Sequence, residues 1–251
     1  MGLCEKGFED MKLIENIFEP KKVMLVWQAN DNKFQRATGA RFIVGEIINS
    51  DNGTSLHYYN NGDTNKAKEL GFNGLTTYPY KESHTYNGDI SAALSKRLPP
   101  TTRPDYKDFL RSFRISPESA THSSPLALLA YTRGEIAGDG FSFYPALDNM
   151  DLPFQITFEI AGFRYNGLKH FKNPTVLKNE NVKLELDQDN MHDEQAVKIM
   201  LDERVLGYVP KGMRAFIGSL IPTHIQIASI EKVNGTAERP RILVFLEVRK
   251  S

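Results

Sequence analysis

The feature that most constrains this chain is a change of period near residue 152. From there onward, six short runs rich in β-branched and aromatic residues follow one another: Phe154 to Ile160, Val182 to Leu186, Ala196 to Met200, Val205 to Val209, Ile225 to Val233 and Ile242 to Val248. Runs of this kind, bounded by turn residues, predict strands. A single stripe has helical spacing. Met213, Phe216, Ile217 and Leu220 stand at i, i+3, i+4 and i+7, so all four lie on one face of a short helix. Six strands and one helix within about 100 residues predict a small, partly open barrel.

The preceding half has a different pattern. Val23 to Trp27 and Arg41 to Ile48 read as strands, with Gly45 marking a bulge or a close contact, and Asn52 with Gly53 supplies a turn before the strand Leu56 to Tyr59. Helical spacing follows. Asp89 caps a segment with Ile90, Ala93, Leu94 and Leu98 on one face, stopped by Pro99 and Pro100. Pro104 is placed as an early helical residue before Tyr106, Phe109, Leu110 and Phe113. Ser124 and Pro125 open a third helix, Leu126 to Tyr131, ended by Gly134. The expected fold is therefore a two-domain α+β chain: a mixed α/β unit over residues 1–150, a short linker around Leu147 to Leu152, and the barrel with its one short helix over residues 151–251.

Composition narrows the function classes. The chain has 31 basic and 31 acidic residues among 251, with 14 basic and 13 acidic from residue 151 onward. Neither half is a basic block, which argues against wide non-specific wrapping of duplex and leaves room for a small focused patch. Cys4 is the only cysteine, so an intrachain disulfide and a thiolate-rich zinc site are excluded. The six histidines are scattered, and neither a GxxxxGK[ST] nor a GxGxxG phosphate loop occurs. The first 20 residues lack the apolar core of a signal peptide and no run of 18 apolar residues exists, so the expected location is the cytoplasm.

The chemistry-bearing run extends from Phe163 to Leu220. It holds the triplet Phe163, Arg164 and Tyr165, a dense polar turn from Asp187 to Asp193, the strand Leu206 to Lys211, and the amphipathic helix. These residues offer an aromatic surface, cationic groups and several hydrogen-bonding side chains, with no convincing nucleophile. Ala161 to Tyr165, Val182 to Val197 and Leu206 to Lys211, in this order and spacing, resemble a HIRAN domain over about residues 152–250. The resemblance implies an oligonucleotide-binding-like barrel, whose pocket in the best understood members captures a single-stranded DNA 3′ end. Arg164 and Tyr165 match the family's basic and aromatic pair, Asp189 and Asn190 fall in its polar loop, His192 and Asp193 take the aromatic and acidic positions that follow, and Lys211 matches the basic residue after Gly-Tyr-Val-Pro. Two departures stand out: His192 occupies a position where the family often has a tyrosine, and Asn234 to Pro240 lacks a late aromatic. The N-terminal half resembles, more loosely, the amino-terminal subdomain of HipA-type kinases through Arg41 to Gly45, Leu94 to Pro99 and Leu126 to Phe141, without any kinase core.

Each residue has two readings. Tyr165 offers a π-face to a base, worth roughly 1–3 kcal/mol when stacked, or simply covers the open barrel end. Arg164 and Lys211, with Arg214 nearby, hold phosphate or form surface ion pairs. Asp189, Asn190 and Asp193 fix the turn, or accept from a terminal hydroxyl or a base amine. His192 is a contact or support residue. Asp187, Asp189 and Asp193 also allow a metal-dependent nuclease, although no second carboxylate cluster accompanies them. The leading expectation is a binder of single-stranded or frayed DNA, with the 3′ end as its finer target, coupled to a nuclease, helicase or toxin-component protein and needing no cofactor. The alternative is a protein-interaction adapter or antitoxin-like module that binds no nucleic acid.

Overall fold

The computed structural model describes residues 12–29, 40–147, 152–191 and 193–250. The N-terminal half is built on a five-stranded antiparallel sheet. Its strands are β1 (Lys22–Gln28), β2 (Arg41–Ser50), β3 (Gly53–Tyr58), β6 (Thr85–Gly88) and β7 (Phe141–Pro145), in the order β6-β3-β2-β1-β7. A two-residue ladder, β4 (Gly74–Leu75) with β5 (Tyr78–Pro79), sits apart from it. The register of β1 on β2 slips between Leu25 and Val26, next to Gly45. A Cβ at Gly45 would run into the backbone oxygen of His57 on β3, so this position combines a bulge with a close approach.

Helices cover and connect this sheet: α1 (Gly62–Glu69), α2 (Ile90–Ser95), α3 (Tyr106–Ser112), α4 (Pro117–Thr121) and α5 (Pro125–Thr132). Asp89 caps α2 by accepting from the Ala92 amide at 2.9 Å, and Ser124 caps α5 by accepting from the Ala127 amide at 3.1 Å. Pro104 stands outside α3, whose N-cap is Asp105. Helix α1 carries no apolar stripe, since only Thr64 and Ala67 are buried along it; its start is fixed by Asn61, which accepts from the Thr64 amide at 2.9 Å.

The C-terminal half forms a six-stranded antiparallel sheet of β8 (Phe154–Glu159), β9 (Asn181–Leu186), β10 (Val197–Leu201), β11 (Arg204–Tyr208), β12 (His224–Gly235) and β13 (Pro240–Lys250), in the order β11-β10-β9-β12-β13-β8. The helix is α6 (Arg214–Leu220), and two 3₁₀ turns, Gly167–Lys169 and Pro174–Leu177, follow β8. The expected oligonucleotide-binding-like barrel is not formed. Closure needs a continuous ladder between the outermost strands. Here β8 and β11 meet only at one bridge, Ala161 with Tyr208, because the β8 ladder ends at Glu159 and the chain turns away at Gly162. The sheet is also nearly divided at its middle, where β9 and β12 pair only through Val182 with Ala228 and Asn181 with Ser229.

Two apolar clusters hold the molecule. One lies within the N-terminal half around Leu25, Ile47, Leu56, Tyr58 and Phe143. The other joins residues from both halves: Ile14, Leu110, Ile115, Leu128 and Tyr144 pack in one cluster with Phe154, Ile156, Phe158, Val244 and Phe245. Beside that cluster runs a charged seam. Glu159, 8% exposed, lies 2.8 Å from Arg241, 3.2 Å from Arg41 and 3.8 Å from Arg133. Burial opposes ionisation of Glu159, yet Arg41, Arg241 and Arg133 together hold its carboxyl below the ordinary value.

Candidate nucleic-acid interface

The strand ends bring most of the sequence-predicted residues to one rim of the C-terminal sheet. Ala161, just beyond β8, exchanges two backbone hydrogen bonds of 2.8 Å with Tyr208 at the end of β11. Gly207 permits this approach, since a Cβ there would stand 2.5 Å from the Ala161 oxygen at a φ of +156°. Three residues past the bridge, Arg164 and Tyr165 project from the turn. Tyr165 is 55% exposed, and the Arg164 guanidinium lies over its ring, 5.8 Å from the centroid. Phe163, between them and the bridge, is buried and anchors the turn.

From Tyr208 the rim continues to the polar turn. The Tyr208 hydroxyl donates to Asp187 Oδ2 at 3.0 Å, the Asn190 amide donates to the same oxygen at 3.1 Å, and Lys198 lies 3.4 Å from Oδ1. Burial alone would raise the Asp187 carboxyl, but the bonds from Asn190 and Tyr208 and the charge of Lys198 hold it below the ordinary carboxylate range. Burial and this same carboxylate push the Tyr208 hydroxyl up. Asp187 is thus occupied in fixing the turn. Asp189 is exposed at its tip, and Met191 beside it is 93% exposed. His192 lies outside the described residues. Asp193 accepts from the Gln195 amide at 3.1 Å and forms an ion pair with Arg214 of α6.

Lys211 completes the rim, with a partner from the other half of the chain. Its Nζ contacts both carboxylate oxygens of Asp63, at 2.6 and 2.7 Å, while Asp63 also accepts from the Ile43 amide at 3.2 Å. Of the rim cations, Lys198, Lys211 and Arg214 each face a carboxylate, whereas Arg164 has no carboxylate partner among the described residues. Asp63, Tyr208 and Lys198 were not singled out from the sequence. Tyr208 sits in the Gly-Tyr-Val-Pro element, so a signal for it existed. Asp63 is 148 residues from Lys211 and carried none. Among the described residues no group of three or more His, Cys, Asp or Glu is arranged to hold a metal ion, and no helix is long and apolar enough to cross a membrane.

Comparison with known proteins falls on this same half. Residues 153–249 match the HIRAN domain family. Two solved structures show a distant likeness. The HIRAN domain of human HLTF is 18% identical, with 39% of this chain and 77% of that chain covered at a TM-score of 0.31. A protein from Lactobacillus plantarum is 16% identical, with 37% of this chain and 91% of that chain covered at a TM-score of 0.31. No curated protein matches. The family match does not reach the N-terminal half, and the resemblance of that half to HipA-type kinases receives no support. What is established is local to the rim-bearing sheet: the C-terminal region of this chain, residues 153–249, has the HIRAN-domain fold.

Proposed function

We propose that the chain binds single-stranded or frayed DNA at this rim, with a 3′ end as its preferred element. In this reading residues 1–150 form a unit that couples the reader to a protein partner in DNA processing, repair or defence, such as a nuclease, a helicase or a toxin component. The observation that carries the reading is the Arg164–Tyr165 pair, an exposed ring under a cation that has no carboxylate partner among the described residues. A base stacks on Tyr165 while the guanidinium meets phosphate, the combination that single-strand binders use. Lys211 adds a phosphate contact when it leaves Asp63, and Asp189, Asn190, His192 and Asp193 shape the polar side of the rim. The HIRAN match supports the assignment of this rim to nucleic acid.

The test is titration of the purified full chain against fluorescent oligonucleotides: single-stranded DNA with a free or a blocked 3′ end, blunt duplex, and single-stranded RNA. A preference for the free 3′ end that disappears in both Arg164→Ala and Tyr165→Ala is the expected result. Equal affinity for free and blocked ends would leave a general single-strand binder. No saturable binding by any oligonucleotide would overturn the DNA reading.

One observation favours a second reading, that of a protein-interaction adapter without nucleic-acid binding. Lys198, Lys211 and Arg214 are already matched by carboxylates, and the chain has as many acidic as basic residues. Recovery of a stoichiometric protein partner, together with absence of oligonucleotide binding, would decide for it.

A further inference from the structure

Among the described residues, the seam between the two halves holds more cations than carboxylates. Arg41, Arg114, Arg133, Lys232 and Arg241 converge there against Glu135, Glu159 and Glu231. Two of these arginines are held unusually. Arg114 and Arg133 are 9% and 6% exposed, and each has left-handed backbone, with φ of +64° and +65°, at the C-terminal ends of α3 and α5. Glycine is the usual residue in that conformation, and a side chain there is strained. Two arginines kept at such positions, both turned into the interior, need a reason beyond ending a helix.

Their guanidinium groups are incompletely satisfied. Arg114 uses one terminal nitrogen on Glu231, 3.0 Å from the backbone oxygen and 3.1 Å from the carboxylate, while its other terminal nitrogen, Nη1, has no hydrogen-bond partner among the described residues. Arg133 Nη1 also lacks a hydrogen bond, standing 3.8 Å from Glu159, and the buried hydroxyl of Tyr144 near Arg41 is likewise without a partner. Buried donors without acceptors are rare, and where they occur they call for an explanation in strain or in function.

The sheet adds a third cation to the same place. Regular alternation would send Glu231 and Lys232 to opposite faces of β12. The bulge between Ile230 and Lys232 breaks that alternation. Lys232 lies opposite Leu243, which lies opposite Glu159, so Lys232 shares the seam face with Glu159 while Glu231 reaches Arg114. Burial, then the charges of Arg114 and Arg133, pull the Lys232 ammonium below its ordinary value. Arg114 and Arg133 thus carry unused donors beside a third cation, although Glu231 and Glu159 each meet one of them.

We propose that Arg114, Arg133 and Lys232 form a phosphate-binding site at the seam between the two halves, separate from the Arg164–Tyr165 rim. Its ligand is a tetrahedral phosphate group, carried either as the free ion or on the end of a nucleic-acid strand. The site does not depend on the rim reading, because its residues and its assay are different.

Thermal melting of the full chain tests it, in sodium phosphate against sodium chloride at equal pH and ionic strength, and in chloride with added 5′-phosphorylated or unphosphorylated dinucleotide. Wild type and Lys232→Arg are expected to melt about 3–5 °C higher at a phosphate concentration roughly tenfold above its Kd. Lys232→Gln is expected to melt in chloride no lower than wild type, since it removes a repelled cation, and to lose the phosphate response. A response only to the phosphorylated dinucleotide, lost in Lys232→Gln, would support the same site with a strand end as its source. No rise over chloride with any phosphate, or an undiminished rise in Lys232→Gln, would overturn it.

Discussion

Lys211 and Asp63, 148 residues apart, are joined by two short contacts, so the cation expected to hold phosphate is held by a carboxylate of the other half. Asp63 stands in the first turn of α1 and is further fixed by the Ile43 amide, whereas Lys211 is the more exposed partner. A phosphate approaching Lys211 therefore competes with a fixed anion for a movable cation.

Asp63→Asn is expected to tighten single-stranded DNA binding, because Lys211 no longer has to be released. The gain is no more than about fivefold, since an exposed pair contributes roughly 0.2–1 kcal/mol. The slope of log affinity against log salt should stay near that of wild type, because both make the same phosphate contact. Lys211→Ala in the Asp63→Asn background should cancel the gain and flatten the slope by about 0.7, the value for one contact on a single strand. Titrations at several salt concentrations read both quantities.

Tyr165→Phe is expected to keep oligonucleotide affinity, whereas Tyr165→Ala loses stacking worth roughly 1–3 kcal/mol, about 5- to 150-fold in Kd. The ring is exposed, so neither change should lower the melting temperature appreciably. An equal loss in both variants would assign the effect to the hydroxyl instead of the ring.

Glu159→Gln leaves three arginines facing a neutral amide in a buried setting. Removing one partner of a buried ion pair costs about 3–5 kcal/mol, which lowers the melting temperature by roughly 6–20 °C for a chain of this size. The sign of the pH dependence follows from the depressed carboxyl of Glu159. Its contribution is fully present above the ordinary value of 4.5 and is lost as pH falls through the lower folded value. Melts between pH 3 and 7 should fall more steeply at the acid end for wild type than for Glu159→Gln.

Gly207→Ala should damage the rim without touching a binding side chain. Its methyl would meet the Ala161 oxygen at a backbone angle that side chains rarely adopt, costing about 1–3 kcal/mol and opening the Ala161–Tyr208 bridge. Faster amide exchange at Ala161 and Tyr208, together with weaker oligonucleotide binding, is the expected pair of signs.

How much of this was legible in the sequence depended on the range of the interaction. All six C-terminal strands and α6 appear where β-branched and aromatic runs and one helical stripe put them, because these signals are local. The caps at Asp89 and Ser124 were legible for the same local reason. Helix α1 was not, since it carries no apolar stripe. Barrel closure was read wrongly because strand content does not say where β8 stops, and one bridge replaces a ladder. Within the rim, the residues near Tyr208 were legible as a motif, but the pairing of Lys211 with Asp63 joins segments that no motif spans.

The apolar cluster shared by both halves has a practical consequence for anyone trimming the gene. A fragment starting at residue 152 would present Leu243 and Phe245, which share a face with Glu159 and Thr157, to water, and it would strip Glu159 of Arg41 and Arg133. Such a truncation is expected to aggregate on expression. Its silence in a binding assay would report lost solubility, and it would give no information about the rim.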